Sequence, residues 1–216
     1  MIRKMREPIS GLTHLLGVAL SILGLILLIH NSLVFSKPYY IPGFVIFGVS
    51  SILLYTASSV YHLLSVQERV IKILRRIDHS MIYILIAGTY TPICLIALKG
   101  TLGKVLFIII WTLAAVGIML KIFWFNAPRW LSTLFYVIMG WIAVIAIYPL
   151  WKTLSLGGIF WLVAGGLSYT IGAVIYATKR PRIASKVFGF HEIFHLFVML
   201  GSFCHFWMMF KYVMFV

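Results

Sequence analysis

Seven apolar stretches, each close to the length a helix needs to cross a bilayer, run through this 216-residue chain with almost no charge inside them. They cover Gly11–Ile29, Ile41–Leu64, Ser80–Leu98, Val105–Leu120, Trp130–Leu150, Leu156–Thr178 and His191–Phe210. Turn formers and basic residues separate them, as at Lys37-Pro38, Lys99-Gly100, Asn126-Ala127-Pro128-Arg129 and Lys179-Arg180-Pro181-Arg182. The shortest, Val105–Leu120, relies on Lys104 and Lys121 snorkelling at its ends. The pattern predicts an all-α fold, a polytopic bundle of seven transmembrane helices forming one domain over residues 1–216. The first stretch lacks a small-x-small cleavage site, so it is read as a span and not as a signal peptide.

Composition sharpens that reading. With 62% apolar residues, four acidic residues and a formal charge of +14, the chain is basic without being amphipathic. Its Lys and Arg residues lie between the apolar runs, where anionic lipid headgroups are the natural partner and nucleic acid is not. With seven spans, thirteen of the basic residues fall on the side of the N-terminus, among them Arg3, Lys4, Arg75, Arg129 and Lys186. The other five are Lys37, Lys99, Lys104, Lys152 and Lys211. For loops this short the bias predicts a cytoplasmic N-terminus and an outer C-terminus. Cys94 and Cys204 both lie in apolar runs and serve as small buried hydrophobes, though their similar depth permits a bond.

Polar residues inside such spans are costly, which makes them the place to look for function. His191 and His195 are one helical turn apart, so both imidazoles leave one face of the last span. His62 lies near the end of the second span and Asp78 just before the third, which puts all four in the cytoplasmic leaflet. His30 belongs to the opposite surface, and His205 lies about 15 Å beyond His195 along its helix. Three imidazoles plus water make the partly open tetrahedral arrangement of catalytic zinc, Zn2+. Asp78 would then hold that water or take its proton, and Ser58, four residues before His62, would hydrogen-bond beside it. Each residue also has a plainer reading: Asp78 as a helix N-cap, Ser58 as a small packing residue, the histidines as interfacial side chains. Their meeting in one leaflet favours the metal site, with His62, His191 and His195 as ligands. Glu192 completes a His-Glu-x-x-His pattern and competes for the role of base, yet it is rotated about 100° from His191 and could face the headgroups. His14 ranks as an outer donor. His79 is expected to point away from Asp78.

These residues in this order resemble the hemolysin III branch of the progestin and adipoQ receptor family, in the wider group that includes alkaline ceramidases. The matching pieces are Glu7-Pro8-Ile9-Ser10-Gly11-Leu12-Thr13-His14, Ser58-Ser59-Val60-Tyr61-His62, Asp78-His79-Ser80, His191-Glu192-Ile193-Phe194-His195 and Cys204-His205-Phe206. The resemblance covers essentially the whole chain. It implies a seven-helix bundle in a bacterial plasma membrane, zinc on His62, His191 and His195, a water-holding Asp78 and a motif serine at Ser58. It departs at Glu192, where the animal receptors generally carry a neutral residue, and in the short termini, which lack those receptors' long cytoplasmic domain.

Three functions compete. The first is a zinc-dependent hydrolase of lipid amides or esters in the cytoplasmic leaflet, with Asp78 and Ser58 at the reacting water. The second is a non-enzymatic sensor of membrane state or ion-homeostasis protein, in which zinc pins the helices. The third is the pore formation that the hemolysin name implies, for which a chain this apolar offers little physical support.

Overall fold

The structure, a computed structural model, describes residues 5–124, 128–183 and 188–216. Arg3, Lys4 and Lys186, counted above toward orientation, lie outside the described residues, as do Asn126 and Ala127 of one predicted turn. Among the described residues all regular structure is helical. The main helices are α1 (Pro8–Val34), α2 (Ile41–Leu63), α3 (Glu68–Pro92), α4 (Thr101–Phe123), α5 (Arg129–Trp141), α6 (Ile147–Thr178) and α7 (Phe190–Lys211). Six helical segments are long and apolar enough to cross a membrane, which identifies a membrane protein.

Local chemistry explains the boundaries. Proline opens α1 at Pro8 and follows the first residue of α2 at Pro42, early positions where its missing N–H costs nothing. Pro92 ends the regular part of α3, and a π turn over Ile93–Ala97 carries the chain on, closed by Leu98 N–H donating to Ile93 O at 2.8 Å. α4 has 23 residues instead of the sixteen expected, so it needs no help from snorkelling lysines. α3 starts at Glu68, twelve residues before the apolar run, because Glu68–Ile77 is itself helical and pairs exposed Val70, Ile73 and Ile77 with basic residues. Asp78 therefore sits about three turns inside a helix and is not an N-cap.

The fifth apolar segment runs without a loop from Arg129 to Thr178, 50 residues, or about 75 Å if straight. It is not straight. A 3-10 stretch spans Ile142–Ala146, and Ser155 has φ 59° and ψ 172°, outside any helical region. Trp141 Nε1 donates to Thr170 Oγ1 at 2.9 Å, joining positions 14 and 15 residues either side of Ser155. The chain thus doubles back there as a helical hairpin.

Packing relies on small residues where helices approach closely. A Cβ on Gly88 of α3 would lie 2.1 Å from Ser50 Oγ and 3.2 Å from Ile46 O of α2, so only hydrogen fits. Intramembrane hydroxyls find partners one turn back, as in Thr91 to Ala87 O at 2.9 Å. Cys94 and Cys204 are free and buried; no disulfide joins them. At one end of the bundle Lys37 Nζ and Tyr40 Oη both donate to the terminal carbonyl of Val216, at 2.9 and 2.5 Å. The start of α1 lies at the other end, beside the C-terminus of α2 and the N-terminus of α7.

Candidate metal centre

At that other end the ligating nitrogens of His62, His191 and His195 all lie within 4.8 Å of one another, with His62 and His195 buried and His191 half-buried. The last turn of α2 delivers His62, and the first two turns of α7 deliver the i, i+4 pair. His62 Nδ1 is bound to the Glu7 carboxylate, and His195 Nδ1 donates to the Ser10 carbonyl at 3.2 Å. Both rings are thereby fixed in the tautomer that leaves Nε2 as a free lone pair facing the cluster. Hydrogen bonding to His62 also holds the Glu7 carboxyl below the ordinary carboxylate range.

The His62–His191 pair has the separation that a tetrahedral ion needs. Two nitrogens each about 2.0–2.1 Å from a shared zinc at the tetrahedral angle lie about 3.3–3.4 Å apart, and His62 Nε2 is 3.3 Å from His191 Nε2. Neutral imidazoles suit zinc and, by softness alone, several other divalent transition metals.

Asp78 faces the same internal space as His191 and His195, its side chain 17% exposed, with the Ser58 hydroxyl within its reach. His79 does not point away as expected: its Nδ1 lies 3.7 Å from Asp78 Oδ2. That nitrogen donates to Arg75 O at 2.7 Å, so Nε2 accepts from Tyr176 Oη at 2.9 Å. Glu192 caps its own helix, accepting from Gly189 N–H at 2.8 Å through Oε2 and from Ser10 Oγ at 2.5 Å through Oε1. Both oxygens are engaged away from the imidazoles, which argues against a base. His30 and His205 are not in the cluster. Of the four acidic residues, Glu7, Asp78 and Glu192 therefore serve this one place, while exposed Glu68 pairs with Lys72 at 2.9 Å.

From Asp78, His191 and His195 a cavity of about 160 Å³ leads into the bundle. Ile82, Leu85, Ile86, Phe194 and Val198 line it, and it reaches Ile93 and His205. Fifteen residues of α3 separate Asp78 from Ile93, about 22 Å of depth, more than one leaflet of a hydrocarbon core about 30 Å thick.

Sequence reasoning gave Glu7 and Ser10 no role of their own and missed Tyr176. The spacing of Glu7, Ser10 and His14 at i, i+3 and i+7 carried a usable signal, since it puts all three on one helical face.

Comparison with known proteins covers nearly the whole chain. The family described as Haemolysin-III related matches residues 2–206. The chain is 43% identical over 196 residues to the Hemolysin-3 homolog of Bacillus subtilis (strain 168), covering 91% of this chain and 89% of that protein. It is 41% identical over 208 residues to Hemolysin-3 of Bacillus cereus, covering 96% and 92%. It is 26% identical over 172 residues to the human Monocyte to macrophage differentiation factor, covering 78% and 69%. The chain belongs to the Haemolysin-III related family.

Proposed function

We propose that the protein is a zinc-dependent hydrolase of membrane lipids that opens an amide or ester bond at the cytoplasmic face of a bacterial plasma membrane. The reading rests on one observation: a three-histidine cluster with metal-compatible spacing opens, beside a carboxylate, onto a long apolar cavity. The hairpin at Ser155 supports seven crossings, and the excess of basic residues on the side of the histidines supports a cytoplasmic site.

Bound zinc supplies Lewis acidity, activating water near neutral pH and polarising a carbonyl. Asp78 accepts the proton of the attacking water as its oxygen bonds to the carbonyl carbon. As the C–N or C–O bond breaks, the same carboxyl returns that proton to the leaving amine or alkoxide. Ser58 steadies the carboxylate. The apolar cavity receives the acyl chain and keeps bulk water from the scissile bond.

A second reading is a metal that only fastens α2 to α7, the two helices that carry all three ligands. One experiment separates the two. Purified wild type, His191→Ala and Asp78→Ala are assayed for bound metal and for product release from ceramides and phospholipids. Hydrolysis predicts metal-dependent product that both variants lose, with Asp78→Ala keeping its metal. Metal without product across the panel supports the fastening role, and equal metal in wild type and His191→Ala removes both readings.

A further inference from the structure

α1 provides no ligand to the cluster, yet its first two turns touch every part that holds one. Glu7, Ser10 and His14 share a face. Glu7 binds His62 Nδ1 through its carboxylate and donates its backbone N–H to His62 O at 3.0 Å, gripping the end of α2 at two points. Ser10 grips α7 likewise, its carbonyl accepting from His195 Nδ1 at 3.2 Å and its hydroxyl donating to Glu192 Oε1 at 2.5 Å. His14 lies flat on the His195 ring, centroids 3.7 Å apart and planes 10° from parallel. Among the described residues neither buried His14 nitrogen has a hydrogen-bond partner, so its contact with His195 is made through the ring face.

We infer that the Glu7–Ser10–His14 face of α1 is the positioning wall of the metal centre and sets how tightly a divalent cation is held between α2 and α7. The inference builds on the metal reading above and concerns residues that neither ligate the ion nor reach the reacting bond. Its physical basis is orientation. A ring free to rotate or to change tautomer presents Nε2 only part of the time, and a carboxylate on Nδ1 makes Nε2 a better donor. Glu7 supplies the carboxylate for His62, the Ser10 carbonyl fixes His195, and His14 blocks rotation of that ring. Loss of such an outer partner generally weakens metal binding 10- to 100-fold.

The test uses the full-length protein in lipid nanodiscs, stripped with a chelator and titrated with Co2+ while the visible ligand-field absorption is followed. Zn2+ affinity is then measured by competition with a chelator of known strength. Glu7→Ala is expected to bind one ion about 10- to 100-fold more weakly, with a shifted cobalt spectrum. Glu7→Gln, which keeps an acceptor oxygen, should fall between it and wild type. His14→Phe should hold the ion as wild type does and His14→Ala should not, while Glu68→Gln, at the exposed pair with Lys72, serves as the unchanged control. Wild-type affinity and spectrum in Glu7→Ala would overturn the inference while leaving the metal reading intact. So would a Glu7→Ala protein whose metal-free form melts early while Glu7→Gln keeps the native cobalt spectrum, since that assigns Glu7 to folding. Failure of wild type itself to take up Co2+ or Zn2+ overturns the metal reading and this inference together.

Discussion

Replacing Asp78 by asparagine should separate chemistry from metal binding and from folding in one variant. The side chain is 17% exposed, faces the cavity beside His191 and has the Ser58 hydroxyl within reach. Asparagine keeps the volume and an acceptor for Ser58 but cannot take a proton. A positioned general base contributes about 10²- to 10⁴-fold, so kcat on any lipid the wild type cleaves should drop by that factor, about 3–5 kcal/mol of barrier. Metal content should stay at the wild-type value, because Glu7 and Ser10, and not Asp78, make the hydrogen bonds that orient His62 and His195. Thermal stability in detergent should hold or rise, since a shielded charge is exchanged for a neutral amide. Fluorescent-lipid turnover, metal analysis and melting on one preparation give all three numbers. A variant keeping more than a tenth of wild-type kcat at full occupancy takes the base role from Asp78, and parallel loss of metal would make it a ligand instead.

Two further outcomes test the fold. Gly88→Ala forces α2 and α3 apart at Ser50 and should lower stability by about 1–3 kcal/mol, whereas Gly140→Ala, with nothing within 4 Å of the new methyl, should be neutral or slightly stabilising; equal melting temperatures for the two would contradict the close packing at Ser50. On intact cells a membrane-impermeant maleimide should label Lys152→Cys, while Arg180→Cys should react only after permeabilisation, with buried Cys94 and Cys204 silent in both. Labelling of both positions from the same side would remove the seven-crossing arrangement.

The apolar runs and their breaks carried the helices because hydrocarbon leaves a spanning chain little choice but to satisfy its own backbone. What they could not carry was where a helix goes on beyond the bilayer. Glu68–Ile77 looks like a basic loop by hydropathy, yet it is helical, with Val70, Ile73 and Ile77 exposed at helical spacing. The reversal at Ser155 is better marked: Lys152 and Gly157-Gly158 break the apolar pattern between Trp130–Leu150 and Leu156–Thr178, although only the structure puts the positive φ on Ser155.

At the site, depth was legible and direction was not. Counting residues from the span ends puts His62, Asp78, His191 and His195 near one membrane face, and the coordinates bring the three imidazoles into one cluster. Spacing along one helix cannot say which neighbouring helix a side chain meets. Glu192 shows the consequence: beside two histidines it looks like a catalytic base, whereas the need to cap α7 and the nearby Ser10 hydroxyl occupy both its oxygens. Glu7 shows the converse. It stands four residues before the first apolar run, where an acidic side chain passes for a solvated end, and only the arrival of α2 gives it His62. A chain with four acidic residues and a +14 charge has few carboxylates to place, and two of them, Glu7 and Asp78, stand beside one cluster of imidazoles while Glu192 caps the helix that carries two of the three. Carboxylates at the edge of an apolar bundle are expensive unless a cation shares the space; Arg6 lies 3.5 Å from Glu7, and a divalent ion on the histidines would serve Asp78 in the same way.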